Sequence, residues 1–216
     1  MSDIGSFASP KDKYLYRYCY GMKEFERTHE NVIQQLSSNE KQSGESPNTT
    51  SKGTITIEEK YGTLKYERRL SHPKEMVWKA ITDPKEISVW MSNYKGVIDG
   101  YPGGAIDFVN TVSGSHITGD ILAWDLHRVF EYEWHISPNQ SFPHGEPESV
   151  IRWELKQDRD SGTLLTLTHS RLTKSTSLSF APGWHAYLDR LEANLNNEEL
   201  PDWMHRLGEV KELYSS

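Results

Sequence analysis

The 216-residue chain carries 24 lysines and arginines against 31 aspartates and glutamates, which gives a formal net charge of −7. With this balance and no basic stripe, there is no electrostatic reason to expect nucleic-acid binding. The single cysteine, Cys19, excludes an intramolecular disulfide framework and favours a reducing compartment. No apolar run approaches the roughly 18 residues of a membrane span, and the N-terminus lacks a signal-peptide core, so we expect a soluble, cytoplasmic protein.

The first part of the chain, residues 1–36, predicts an N-terminal extension. Four tyrosines alternate from Tyr14 to Tyr20, which favours an extended ribbon. Apolar residues then recur at helical spacing and predict a helix over about 22–37. This tyrosine-rich, helical extension could pack on its own domain, pair with a second copy of the chain to form a homodimer, or bind another protein.

A change of composition separates the extension from the rest. Residues 37–53, SSNEKQSGESPNTTSKG, hold two glycines and a proline and have no apolar side chain to bury. Such a segment predicts a flexible linker. We therefore expect the folded domain to span residues 54–216.

The domain opens with a strand. Leu64, Tyr66, Arg68 and Leu70 alternate with charged residues, a period of two that predicts a half-buried strand. Because all four side chains share one face, Arg68 is expected beside the core. A buried arginine is costly without a partner, so Arg68 either binds an acidic group, such as a ligand carboxylate, or reaches solvent at the strand end.

Two short helices are predicted next. Pro73 sets the backbone for the first, and Asp83-Pro84 is the stronger start signal of the second, with Glu86 placed as in a capping box. The residues expected to face the core are Met76, Val77, Ala80 and Ile81 in the first helix and Ile87, Trp90 and Met91 in the second.

The middle of the chain predicts a meander of strands joined by short turns. Glycine-rich and serine-rich turn signals occur at 100–104 and 112–115. The predicted strands span 94–99, 104–112, 117–124, 129–135, 150–156 and 163–171. Sequential strands with short connections favour an antiparallel sheet.

A long amphipathic helix closes the domain. The pair Gly183-Trp184 is interpreted as its start. Its apolar stripe consists of Trp184, Tyr187, Leu188, Leu191 and Leu195. This stripe is expected to lie on the sheet, where each fully buried member would contribute roughly 1.5 to 3 kcal/mol.

The order of these elements resembles the SRPBCC (START-like, birch-pollen-allergen-like) superfamily and, within it, the family named for the activator of heat-shock protein 90 ATPase. The similarity runs from about Thr54 to Trp203. It is carried by the segments RLSHPKEMVWKAITDPKEISVWM, GDILAWDLHRVFEYEW, ESVIRWELK, SGTLLTLTHSRL and GWHAYLDRLEANL. The resemblance implies an α+β helix-grip fold, in which a curved antiparallel β-sheet wraps around a long C-terminal helix and leaves a cavity between them.

For stand-alone members, the resemblance implies binding of a small hydrophobic or aromatic, lipid-like ligand. The chain departs from the eukaryotic chaperone activators, which have a separate N-terminal domain with an asparagine- and tryptophan-rich signature. No N-x-N-x-W-H-W run occurs here, and the N-terminal extension is too short to replace that domain. Chaperone regulation therefore stays an alternative.

If the helix-grip fold holds, many aromatic side chains point into the cavity. They could line an open pocket, typically of roughly 300 to 1,000 Å³, or fill it as an ordinary core. His169 continues the inward parity of Leu165 and Leu167. The predicted ligand-binding residues are Arg68, Trp90, Phe108, Tyr132, Trp134, Trp153, His169, Trp184 and Tyr187.

No metal site, cofactor or catalytic residue is predicted. The nine histidines form no HExxH motif and have no cysteine pair beside them. The loop 142–148 gathers one imidazole and two carboxylates, but a proline-rich solvent loop explains it equally well. There is no G-x-S-x-G elbow and no phosphate-binding glycine loop.

Three functions follow, from different classes. The leading one is non-enzymatic binding of a small hydrophobic or aromatic ligand. The second is an interaction protein that acts through the extension or as a relative of chaperone co-regulators. The third is an enzyme, because the family's fold also hosts cyclases and hydratases that use acids or histidines in the cavity.

Overall fold

The structure, a computed structural model, describes residues 52–140, 142–146, 149–159 and 161–215. The predicted extension over 1–36 lies outside these residues, as does all but the end of the predicted linker over 37–53. The division of the chain into extension, linker and domain therefore stays a prediction.

The described residues build one large antiparallel sheet. Its strand order is β1-β2-β9-β8-β6-β5-β4-β3, and the short strand β7 pairs with β5. The strands are β1 (Thr54–Ile57), β2 (Gly62–Leu70), β3 (Tyr94–Ile98), β4 (Ala105–Asn110), β5 (His116–Asp125), β6 (Val129–Glu133), β7 (His135–Ile136), β8 (Val150–Asp158) and β9 (Gly162–Leu172). The predicted antiparallel meander is confirmed. The strand predicted over 129–135 is interrupted at Trp134, whose backbone N–H donates to Ser149 O at 2.8 Å.

Within the described residues, four helices accompany the sheet: α1 (Lys74–Thr82), α2 (Pro84–Trp90), α3 (Lys174–Leu195) and α4 (Trp203–Lys211), followed by a 3₁₀ turn over Glu212–Tyr214. Helix α2 begins as predicted, because the Asp83 side chain accepts a hydrogen bond from Lys85 N at 2.9 Å. Helix α1 differs on one point. Met76 is 47% exposed, and Trp78 takes the core position instead, where its ring meets Trp124 edge-on at 5.1 Å.

The predicted start of the closing helix was wrong. Helix α3 begins at Lys174, and Pro182 and Gly183 lie inside it. Thr173 caps the helix by accepting from Thr176 N, and the buried Glu146 carboxylate accepts from both Thr173 N and Thr173 Oγ1. Pro182 has no N–H to give to the preceding turn, so the helix continues through it only because the surrounding packing and this cap outweigh that loss.

Helix α3 and the inner face of the sheet share one hydrophobic core. The alternation predicted for β2 is confirmed, since Leu64, Tyr66, Arg68 and Leu70 are all buried. On α3 the predicted stripe is buried except at Tyr187, which is half-buried. The large sheet and the long helix near the C-terminus confirm the α+β helix-grip fold.

Candidate functional site

An aromatic cleft opens where helices α3 and α4 meet strands β3, β5 and β7. Its cavity volume is about 80 Å³, which is smaller than the roughly 300 to 1,000 Å³ typical of ligand pockets. Its lining is Met91, Tyr94, Ser113, Ser115, Ile117, Trp134, Ile136, Phe142, Ser179, Phe180, Gly183, Trp184, Tyr187, Trp203, Met204, Leu207 and Lys211. The cleft is the part of the predicted cavity that stays open.

Helices α3 and α4 supply two walls of the cleft. Trp184 and Tyr187 are three residues apart and so share one side of α3. Tyr187 stacks on Trp203 of α4, with ring centroids 3.9 Å apart and planes 18° apart. Gly183 leaves space between the two helices, since the nearest atom to a Cβ placed at residue 183 would be an atom of Trp203 at 3.8 Å. The absence of a side chain at residue 183 therefore widens the cleft.

Beneath the cleft, the centre of the sheet is filled by aromatic side chains. Trp90 and Trp153 meet edge-on at 6.3 Å, and Phe130 lies 4.5 Å from Tyr132. The residual cavity beside Trp90, Tyr132 and Trp153 has a volume of about 10 Å³, which is room for about one water molecule. Burial raises the pKa of Tyr132, so its hydroxyl stays protonated. The centre of the sheet is thus packed, as in the alternative of an ordinary core, and open space is confined to the smaller cleft at its end.

Two buried N–H donors flank the cleft. Trp184 Nε1 donates to His169 Nδ1 at 2.9 Å, which leaves the imidazole proton on Nε2. Burial lowers the pKa of His169 to about 3, so the ring is neutral at physiological pH. His169 Nε2 and Trp134 Nε1 have no hydrogen-bond partner among the described residues, although both are buried. Trp134 lines the cleft directly, and its ring lies 6.2 Å from that of His169.

The cleft also contains serine hydroxyls and one lysine. Ser113 Oγ donates to Ser115 Oγ at 3.0 Å, and Ser179 Oγ donates to Thr176 O at 3.1 Å. Lys211 is half-buried and is the one charged residue among the described residues that line the cleft. Burial lowers the pKa of its ammonium group.

The structure brings together some of the predicted ligand-binding residues and separates others. Trp134, Trp184 and Tyr187 line the cleft, whereas Trp90, Phe108, Tyr132 and Trp153 line only the small cavity beneath it. His169 lies behind Trp184. Arg68 is not brought to the cleft, because its buried guanidinium faces Asp189 at 3.6 Å. Of the two outcomes that the sequence analysis considered for Arg68, an acidic neighbour is the one observed, and the chain itself supplies it.

Helix α4 contributes cleft residues that the sequence analysis missed. Trp203, Met204, Leu207 and Lys211 all come from it. A local signal for this helix was present: Asp202 accepts from His205 N at 2.9 Å, and an aspartate directly before an apolar-periodic run is a typical helix N-cap. No local signal could have placed the helix against Trp134.

A second group of polar side chains, which we term the polar network, lies on another side of α3. It consists of Arg68, His185, Asp189, Arg206 and Tyr214. Asp189 Oδ2 accepts from Arg206 Nη2 at 2.7 Å and lies 3.5 Å from His185 Nε2, while His185 Nδ1 and the Tyr214 hydroxyl are 3.0 Å apart. Burial lowers the pKa of His185 to about 4, although Asp189 opposes that shift. The network ties the C-terminal segment to α3 and β2.

Neither a metal site nor a membrane-spanning helix is found among the described residues. The histidine, cysteine, aspartate and glutamate side chains among them form no group of three or more that could hold a metal ion. In the loop that gathered such residues in the sequence, Glu146 is engaged by Thr173. Within the same residues, no helix is both long enough and apolar enough to cross a membrane.

Comparison with known proteins agrees with this architecture. A family model described as activator of Hsp90 ATPase homolog 1-like protein matches residues 71–196, more than half of the chain. CalU16 from Micromonospora echinospora is 26% identical with a TM-score of 0.56, over 72% of this chain and 87% of its own. No curated protein matches the chain.

Two further solved structures share the fold at lower identity. The protein MLL2253 from Mesorhizobium loti is 24% identical with a TM-score of 0.55, over 64% of this chain and 99% of its own. The Aha1 dimer from Colwellia psychrerythraea is 16% identical with a TM-score of 0.51, over 62% and 95%. Helix α4 lies beyond the residues that the family model matches.

Proposed function

The chain belongs to the family of activator of Hsp90 ATPase homolog 1-like proteins, and from this premise we propose that it is a non-enzymatic binding protein for a small hydrophobic or aromatic molecule. The observation that carries the proposal is the open aromatic cleft in a core that is otherwise packed. Ligand sites are typically concave and apolar with a few placed polar groups, and the cleft has this composition. A cytoplasmic location belongs to the same proposal, resting on the single cysteine.

The shape of the cleft limits the ligand. Because aromatic rings fill the centre of the sheet, the ligand must lie between α3, α4 and the strands rather than deep in the fold. Contact with Trp134, Trp184, Tyr187 and Trp203 favours a flat ring or a slender alkyl chain. A ligand that buried roughly 200 Å² of apolar surface would gain about 5 kcal/mol from that burial.

The proposal is tested with Nile red, a neutral dye whose fluorescence rises in apolar surroundings. We expect saturable binding to the full chain. Gly183→Leu, which places a branched side chain next to Trp203, should weaken that binding at least about tenfold. Gly183→Ala should retain it, because a Cβ fits at normal contact distance.

Gly208 offers a matched control in α4. It is exposed, and a Cβ there would meet no atom within 4 Å, so Gly208→Leu should bind the dye as the unaltered chain does. Circular dichroism establishes that each variant is folded. Absence of saturable dye binding by the unaltered chain, or equal weakening by the two leucine variants, would overturn the proposal.

The geometry supports binding better than catalysis. His169 is the inward histidine that an enzyme hypothesis needs, but its Nδ1 is held by Trp184 and its pKa is lowered to about 3. The hypothesis of an interaction protein or homodimer that acts through the extension depends on residues 1–36, which lie outside the described residues. No observation in the described part of the chain favours either alternative.

A further inference from the structure

We infer that the ligand of the aromatic cleft carries an uncharged acceptor oxygen, such as the carbonyl oxygen of a ketone or an ester, and that this oxygen accepts a hydrogen bond from Trp134 Nε1. This inference rests on the proposed function and deepens it, because it narrows the ligand from apolar molecules in general to apolar carbonyl compounds. It also makes Trp134 the residue that selects among apolar molecules of similar size and shape.

The first observation is the Trp134 indole. The residue is 4% exposed, yet its Nε1 has no hydrogen-bond partner among the described residues. Buried polar groups in folded proteins nearly always have a partner, and an indole nitrogen can act only as a donor. The Trp134 ring belongs to the lining of both the cleft and the small cavity beneath it, so it lies between the two. A molecule in the cleft therefore contacts a side chain that needs an acceptor.

The second observation is that the neighbouring polar atoms are donors as well. A neutral imidazole has one acceptor nitrogen, and in His169 this is Nδ1, which accepts from Trp184 Nε1 at 2.9 Å. His169 Nε2 therefore carries a proton, and it too has no partner among the described residues. The rings of Trp134 and His169 lie 6.2 Å apart. This part of the core thus holds two buried donors and lacks acceptor atoms, which a carbonyl oxygen supplies.

The surroundings of Trp134 favour a neutral acceptor over a charged one. The ring centroids within 6.4 Å of its own are those of Tyr94, Phe108, Tyr132, His169 and Trp184. Burial raises the pKa of both tyrosines and lowers the pKa of His169 to about 3, so none of these rings is charged at physiological pH. An anion among them would lose its hydration next to rings that offer no positive charge. A carbonyl group loses less on burial and still accepts the hydrogen bond.

A bound water molecule is the competing acceptor. The small cavity beneath Trp134 has a volume of about 10 Å³, which is room for about one water molecule. A buried water typically needs two to four polar partners. Two polar groups in that lining, Trp90 Nε1 and Trp153 Nε1, already donate to Ala80 O and to the Tyr132 hydroxyl. A water there would find few partners besides Trp134, so we assign the acceptor to the ligand.

The experiment compares 2-acetylnaphthalene with 2-isopropylnaphthalene, in which a methyl group replaces the carbonyl oxygen. Each is titrated within its solubility against Nile red bound to the full chain, and the initial slope of displacement gives its dissociation constant. The ratio of the two constants is compared between chains, because a loss of ring contact affects both ligands alike. Trp134→Phe, which keeps a ring and removes the N–H, should shift this ratio against the ketone by about fivefold or more.

Trp203→Phe is the matched control. Trp203 also lines the cleft, but it is half-buried and its ring stacks on Tyr187. Its replacement should weaken the binding of both ligands and leave their ratio within about twofold. Circular dichroism of each variant separates loss of binding from loss of fold.

Nuclear magnetic resonance of the unaltered chain gives a second readout, which does not depend on the stability of any variant. With the indole nitrogens labelled with ¹⁵N and their resonances assigned, the Trp134 N–H proton should move downfield when the ketone binds. The hydrocarbon should not produce this shift. The naphthalene ring is common to both ligands, so the difference between the two spectra reports the carbonyl oxygen.

The possible outcomes separate the inference from the proposed function. The inference would be overturned by a ratio that is unchanged in Trp134→Phe, by an equal change of the ratio in Trp203→Phe, or by a Trp134 N–H resonance that responds to both ligands alike. Each of these leaves the proposed function standing. Failure of Nile red to bind the unaltered chain would overturn both.

Discussion

Helix α3 directs Trp184 and Tyr187 to the aromatic cleft and His185 and Asp189 to the polar network. In the network, the charges meet within the chain, since Asp189 lies within 4 Å of Arg68, His185 and Arg206. In the cleft, the buried Trp134 N–H has no partner among the described residues, and the lining contains a lysine but no acid. The comparison teaches that buried polar groups are placed in two ways here. The network joins the C-terminal segment to α3, and, under the proposed function, the cleft leaves the Trp134 N–H available to a ligand.

Removing the acid at the centre of the network gives the largest expected effect on stability. Asp189→Ala leaves the buried Arg68 without the carboxylate that it faces, and we expect the free energy of unfolding to fall by about 3–5 kcal/mol. Urea denaturation measures the loss. Asp107→Ala is the control, because Asp107 also pairs with a histidine, His116 at 2.9 Å, but in solvent, where we expect less than about 1 kcal/mol. Equal losses would show that the network does not hold the fold.

Lowering the pH tests both regions together, because each contains a buried histidine. His169 lies next to the cleft, and His185 belongs to the polar network. Burial lowers the pKa of His185 to about 4 and of His169 to about 3, while both titrate near 6.5 in the unfolded chain. Below pH 6.5 the unfolded state binds more protons, so stability falls as the pH falls. The contribution of His185 ends near pH 4 and that of His169 near pH 3. Between pH 7 and 5 we expect a loss of about 2 kcal/mol from each.

Single variants show how much of this loss of stability each histidine causes. His169→Asn and His185→Asn remove titration and keep an acceptor near the position of Nδ1, for Trp184 and Tyr214 respectively. Each should reduce the loss between pH 7 and 5 by about half in urea denaturation. An unchanged loss in one variant would mean that the corresponding histidine is not buried as described.

The local parts of this architecture were predictable, and the non-local parts were not. The alternation of β2 and the cap at Asp83 depend on neighbours in sequence, and both were predicted. The parity of β9 placed His169 inward, but its partner Trp184 depends on how the helix packs against the sheet. Pro182-Gly183 is a local stop signal, and α3 continues through it because burial on both sides overrides local preference.

For the same reason, the sequence could not predict which part of the core is packed and which part stays open. Periodicity assigns a side chain to a face but does not fix which rings interlock. Trp134 and Lys211 share the cleft although 77 residues separate them in the chain. Only the docking of α4 brings them together, and the network that docks it was not foreseen.

The two cleft-lining indoles allow a sharper comparison within one residue type. Trp184→Phe removes a donor that binds His169 Nδ1, whereas Trp134→Phe removes a donor that has no partner among the described residues. Both variants lose similar ring volume, so the difference in stability reports the hydrogen bond. We expect Trp184→Phe to be less stable than Trp134→Phe by about 1 kcal/mol in urea denaturation. A reversed order would mean that Trp134 Nε1 does have a partner.

The smallest expected effect tests whether Gly183 is present for space or for backbone freedom. It lies inside a helix without a positive φ, so alanine there should stabilise the fold by about 0.5–1 kcal/mol. Gly208→Ala should gain a similar amount, since that glycine is also helical and has open surroundings. Thermal unfolding compares the two variants. If alanine destabilises the chain at 183 and stabilises it at 208, the wall formed by Trp203 lies closer to α3 than described. If alanine stabilises the chain at both positions, the backbone at residue 183 does not require glycine. The space that a larger side chain would occupy is then the remaining reason for a glycine beside the cleft.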